Sequence, residues 1–267
     1  MRLYGLIDKF PLWAIFIITT AAFLLSYEFG FRAGRWRGAK RVHEHEVVVR
    51  SMVGAMAGLL TFMLAFTFWI AATHYDASRQ ALLNEANAIK TTFLRADFFN
   101  EPHRSHLRNL LRAYLDVRLE AAVTNDITSL IPRSQELQGR LWDEAVAARE
   151  TSSSPVFAGY FIQSLNEMVN FQLRRYAIRQ EFRIPDVIWV VLYVIALLAV
   201  ASLGCHAGLT SATRPLVFPA YVLLFSIALI LILDLDRPLW GALKLSPQSL
   251  VELRKTMGVM EPGSENR

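Results

Sequence analysis

The chain has 267 residues, 54% of them hydrophobic and 19% charged, with a formal net charge of +5 and a mean hydropathy of +0.30. So much apolar side chain exceeds what a soluble core needs, while the charged share requires that a substantial part meets water. The basic residues form no single long patch, which argues against a nucleic-acid partner, and one cysteine, Cys205, excludes an internal disulfide.

The first apolar run, Leu12 to Phe31, reads as a membrane-spanning helix. It is longer than the roughly 7 to 15 apolar residues of a signal peptide, and it closes on Tyr27-Glu28-Phe29 with no small-residue cleavage site. Three further runs follow: Met52 to Thr73, Val187 to Leu203 and Leu216 to Leu233. Each holds roughly 17 to 22 residues, the length a helix needs to cross a hydrocarbon core about 30 Å thick. The expected fold class is all-α: an integral membrane protein with four transmembrane helices in two pairs and a helical bundle inserted between the pairs. The expected segments are 1–73 for the first pair with its basic loop, 74–186 for the extramembrane domain, 187–235 for the second pair, and 236–267 for an amphipathic tail with a disordered end.

The loop after the first span carries Arg32, Arg35, Arg37, Lys40, Arg41 and Arg50. Beside a membrane such a cluster sets orientation and meets anionic lipid headgroups, and by itself it belongs in the cytoplasm. The flanks of the central domain are basic too, with Arg79 and Lys90 on one side and Arg174, Arg175, Arg179 and Arg183 on the other. The two sets pull in opposite directions, and orientation stays open. Within the same loop His43-Glu44-His45-Glu46 is a poor metal site, because residues two apart diverge on a helix.

On the second span Gly54, Gly58, Thr61, Ala65 and Ala72 share one face, a helix-packing stripe containing a GxxxG pair. The opposite face presents Phe62, Phe66 and Trp69, which either meet lipid or, in an oligomer, form an apolar constriction. Nothing stops this helix before Phe98, so Asp76, Arg79, Glu85, Asn87 and Arg95 ride on its continuation. Asp76 and Arg79 have the spacing of a solvated ion pair. Glu85 and Asn87 cannot share a face, which disfavours a metal there.

From His74 to Asp186 the apolar spacing is helical throughout. Asn100 is the expected cap of a helix with Pro102 in its first turn, and Leu107, Leu110, Leu111, Tyr114, Leu115 and Val123 form its stripe. Pro132 and Ser134 are expected to start the next, with Leu137, Leu141, Ala145 and Ala148 on one face. A break at Thr151 to Pro155 precedes a long amphipathic helix bearing Phe161, Leu165, Met168 and Leu173, and Pro185 resets the chain before the third span. At the end of the fourth span Asp234, Asp236 and Arg237 stand at the membrane boundary. Carboxylates at that depth require pairing or hydration, so Arg237, Arg79 and Arg95 are the expected partners of Asp234.

The stretch Leu64-Ala65-Phe66-Thr67-Phe68 leading to Tyr75-Asp76-x-x-Arg79, then Glu85-Ala86-Asn87-Ala88-Ile89 and Leu94-Arg95-Ala96-Asp97, resembles the bacterial bestrophin-like domain family of unknown function. Leu165-Asn166-Glu167-Met168 and Asp234-Leu235-Asp236-Arg237-Pro238 extend the resemblance, which covers roughly Gly58 to Leu253. More distantly the chain is similar to bestrophin anion channels, pentamers whose second span lines the pore and whose helical domain is cytosolic. The resemblance implies a homo-oligomer in the bacterial inner membrane, an anion as the permeating species, and Phe62, Phe66 and Trp69 near the pore. It also singles out Asn166 and Glu167 as polar positions. The chain lacks the paired tryptophans that follow the aspartate in that family. A non-conducting membrane scaffold or sensor, whose domain binds a partner protein, is the alternative. No nucleophile, base or metal arrangement appears, so neither an enzyme nor a cofactor is expected.

Overall fold

The computed structural model describes residues 10–38, 44–124, 127–151, 155–181, 184–210, 217–237, 243 and 245–259. Among them every regular element is helical. In chain order these are α1 (Leu12–Gly38), α2 (Glu44–Arg95), a 3-10 turn (Ala96–Phe98), α3 (His103–Thr124), α4 (Ile127–Thr151), α5 (Pro155–Glu181), α6 (Asp186–Thr210), α7 (Val217–Leu235) and α8 (Gln248–Val259). Three of them, α1, α2 and α6, are long and apolar enough to cross a membrane, while the apolar part of α7, Pro219–Leu235, is shorter.

The chain divides into two compact units, Met1–Tyr75 with Arg183–Lys244, and Asp76–Phe182 with Leu245–Arg267. In the first unit α1 lies directly on α6, because both carry glycines at four-residue spacing. A methyl group on Gly30 or Gly34 would fall on the carbonyl oxygens of Ala201 and Cys205, and one on Gly204 or Gly208 on those of Tyr27 and Phe31. Four absent side chains therefore bring the two backbones together, the arrangement expected where lipid supplies no drive between helices. Gly30 meets Ala201 and Gly34 meets Cys205, so the two helices run parallel. Ser26 Oγ donates to the Leu197 carbonyl at 2.7 Å, and the Thr19 and Tyr193 hydroxyls pair at 2.9 Å. Phe23, Leu192, Val200, Val222 and Ile232 fill the core of this unit together with Leu60 and Ala71 of α2.

The second unit is a bundle around Ile89, Phe93, Leu107, Leu111, Leu141, Phe161 and Met168, completed by Leu250, Leu253 and Met257 of α8. Arg254 of α8 pairs with Asp116 of α3, and Arg112 donates to the Met257 carbonyl. Two boundaries differ from expectation. Glu101, rather than Asn100, caps α3 through its side chain, with Oε2 accepting the Ser105 N–H at 3.2 Å. Helix α4 starts at Ile127 and contains Pro132. Pro132 stands just past the four free N–H groups, so it costs one intrahelical bond and crowds the carbonyl four residues back, and the helix carries through on the burial of Leu137, Leu141, Ala145 and Ala148.

Candidate functional site

Along its apolar half α2 buries one stripe, Leu60, Leu64, Thr67 and Ala71. Met63 and Ile70 pack partly buried beside it, and most of the rest of that half is exposed. Gly54, Gly58, Thr61 and Ala65 are exposed, and a methyl group added to Gly54 or Gly58 would meet nothing. The packing glycines within the described chain are those of α1 and α6, so the small-residue stripe of α2 has no partner there. Phe62, Phe66 and Trp69 are 62%, 47% and 64% exposed, and they form a ladder with ring centroids 6.5 and 6.4 Å apart. At about 100° per residue the aromatic stripe is centred about 80° from the small one. The two are neighbours, not opposite faces; what lies opposite the aromatics is the buried stripe.

Beyond the apolar run α2 enters the second unit, and its polar residues separate sharply. Glu85 is fully buried between two guanidinium groups: Arg118 Nε of α3 lies 2.5 Å from one carboxylate oxygen and Arg175 Nη1 of α5 lies 2.6 Å from the other. Burial alone would raise the Glu85 pKa, but the charges of Arg175 and Arg118 outweigh it and hold the carboxyl below its ordinary range. Beside this cluster the Tyr114 hydroxyl donates to Gln172 Oε1 at 2.9 Å, and Gln138 Nε2 donates to the same oxygen. Desolvation, and after it the Glu85 charge, raises the Tyr114 phenol and keeps it protonated. Sequence reading had Glu85 without its partners. The available signal was Arg118, a charged residue seven positions after Leu111 and so in phase with an apolar stripe.

The other singled-out residues do not join this cluster. Asp76, Arg79 and Asn87 are exposed on α2, and Asp76 and Arg79 form no ion pair with each other. Arg95 lies over the Tyr160 ring and donates to the Tyr160 carbonyl at 2.6 Å. Asn166 and Glu167 are exposed on α5, where Gln163 reaches Glu167 at 3.4 Å. In the first unit Asp234, Asp236 and Arg237 are all buried. Asp234 Oδ2 accepts the Leu243 N–H at 3.1 Å and Asp236 Oδ1 accepts the Ile184 N–H at 3.2 Å. These carboxylates thus tie down backbone on either side of the second helix pair, a use the expected guanidinium partners did not suggest. The side chains of His43-Glu44-His45-Glu46 lie outside the described residues. Among the described residues no group of His, Cys, Asp and Glu has the geometry of a metal site.

The model of the Bestrophin-like domain matches residues 15–250, from the start of α1 into α8. The chain belongs to the Bestrophin-like domain family. Two crystal structures of a bacterial bestrophin homolog from Klebsiella pneumoniae share the bestrophin-like fold. One, an isoleucine-to-threonine variant, aligns with a TM-score of 0.68 at 14% identity over 91% of this chain and 98% of that one. The other, a leucine-to-threonine variant, aligns at 0.67 and 12% identity over 92% and 97%. No curated protein matches the sequence. This bestrophin-like chain is thus a multi-pass helical membrane protein.

Proposed function

We propose that the protein is a subunit of a homo-oligomeric channel of the bacterial inner membrane, with four spans per chain and α2 lining a path for small anions. The observation that carries this reading is the pair of open stripes on α2. Gly54, Gly58, Thr61 and Ala65 form a surface suited to close backbone contact, yet the described chain offers it no partner. A second copy supplies one. Packing on that stripe turns the adjacent Phe62, Phe66 and Trp69 toward the axis of the assembly, where a ring of apolar side chains closes a pore by dewetting. On this reading α7 is the fourth span, and segments 1–73, 74–186, 187–235 and 236–267 are the first helix pair, the domain, the second pair and the tail. The family likeness supports an anion as the permeating species.

The test is the native mass of the detergent-solubilised protein, followed by anion flux in liposomes. An oligomer that conducts, and conducts more as Phe66→Ala, is the expected result. A monomer overturns the reading, because one α2 cannot enclose a path. An oligomer that passes no ion, as wild type or as Phe66→Ala, turns the reading to a membrane scaffold.

A further inference from the structure

Within the second unit two guanidinium groups meet one buried carboxylate, so the cluster around Glu85 carries an excess positive charge. Tyr114, the ionisable neighbour on α3, does not cancel it, because burial keeps the phenol protonated. Glu120, further along α3, is exposed and already paired with Arg133 at 3.4 Å. An excess charge in the interior is costly unless a counterion meets it.

Arg118 is also incompletely satisfied. Its Nε donates to Glu85, while its Nη1 is buried and has no hydrogen-bond partner among the described residues. A second orphan of the same kind is Ser134 of α4, which is fully buried and whose Oγ likewise bonds to nothing among them. The register of the hairpin brings these two together. Gln138 of α4 donates to the Tyr114 hydroxyl of α3 at 3.4 Å, and Arg133 donates to Glu120. The two contacts ascend α3 while descending α4, so the helices are antiparallel. Arg118 lies one turn after Tyr114 and Ser134 one turn before Gln138, which places this pair between the two contacts.

We propose that a halide ion binds between Arg118 Nη1 and Ser134 Oγ and supplies the second negative charge of the Glu85 cluster. Two donors and an excess of one charge suit a compact monovalent anion, whereas a divalent oxyanion would overshoot the balance. A water molecule would satisfy both polar atoms and leave the charge as it is. Arg175, with 12% of its side chain exposed, marks the side from which an ion enters. The site lies wholly within the second unit and stands apart from the channel reading, so it holds whether or not the protein conducts.

The experiment is thermal unfolding of the whole protein in detergent while potassium chloride replaces potassium gluconate, an anion too large for a buried site, at fixed ionic strength. It is repeated with Ser134→Ala and with the combination Glu85→Leu, Arg118→Met and Arg175→Met. The wild-type midpoint is expected to rise to a plateau, from which mass action gives a dissociation constant. Ser134→Ala keeps the cluster but removes one donor, and should weaken that constant roughly tenfold, the worth of one hydrogen bond to a charged group. The apolar combination should show no such rise, and crystals grown in bromide should show anomalous density beside both atoms. A wild-type midpoint indifferent to chloride means that the charge goes without a halide and overturns the inference. A chloride response left unchanged by Ser134→Ala overturns it as well, since the ion then binds elsewhere.

Discussion

Arg118 of α3 donates to Glu85 of α2 where both side chains have lost essentially all solvent, at 1% and 0% exposure. Arg175 joins from α5 with only 12% of its side chain exposed. Three helices thus converge on one carboxylate, and the local charge is two cations against one anion. Each guanidinium depends on Glu85 for the Coulomb energy that offsets its desolvation.

Removing the shared anion is therefore expected to be severe. Glu85→Gln should lower the unfolding free energy by about 3–5 kcal/mol, the usual cost of stranding a buried charge. Combining Glu85→Leu with Arg118→Met and Arg175→Met should recover most of it, since a well-packed apolar cluster needs no charge balance. Denaturant titration in detergent, followed by helicity, measures both. A Glu85→Gln loss below about 1 kcal/mol would mean that the cluster is solvated.

Acid sensitivity follows with a definite sign. Burial raises the Glu85 pKa, while Arg175 and Arg118 together lower it further, so the folded value lies below the unfolded one. A depressed carboxyl contributes its stability fully above the unfolded pKa, near 4.3, and loses it as the pH falls through the folded value. The gap in unfolding midpoint between wild type and Glu85→Gln should be constant from about pH 8 to about pH 5 and narrow below that. A gap that widens on acidification would contradict the cluster geometry.

The two GxxxG pairs with buried partners and the one without should respond differently. Gly204→Ala drives a methyl group into the Tyr27 carbonyl, and overpacking of this kind costs about 1–3 kcal/mol. Gly54→Ala meets open space and should leave the unfolding of the single chain within about 0.5 kcal/mol, as for ordinary surface substitutions. If it acts at all, it should act on native mass. Equal destabilisation of the single chain by both substitutions would argue against the α1–α6 contact.

Asp236 offers a fourth check. Its Oδ1 accepts the buried Ile184 N–H, so Asp236→Ala leaves a backbone donor unsatisfied, at a cost of about 1–3 kcal/mol. Asp236→Asn keeps an acceptor oxygen and should cost less. Thermal unfolding of the two variants side by side distinguishes a backbone tie from a charge requirement, which would make them equally damaging.

The helices were legible because apolar length and spacing report directly on burial and solvent. The described residues of all four apolar runs lie in helices, and α2 continues past Thr73 to Arg95 as its composition suggested. What the sequence left ambiguous was the choice of partner. Gly30 and Gly34, Gly54 and Gly58, and Gly204 and Gly208 show the same spacing, and nothing local says which pairs meet backbone and which remain open. The same holds for Glu85: its burial depends on Arg118 and Arg175, which lie 33 and 90 residues away. Pro132 misled for the reverse reason. Its local rule was sound, but the penalty of about 3 kcal/mol is offset by the tertiary burial of Leu137, Leu141, Ala145 and Ala148 on the same helix.

The parallel course of α1 and α6 fixes a compartment rule for any labelling experiment. If both helices cross the bilayer, they enter from one leaflet, so Pro11 and Ile184 share a side. A fluorophore or protease site placed next to Pro11 therefore reports the leaflet at which α6 begins, whereas one placed just after Arg35 reports the other.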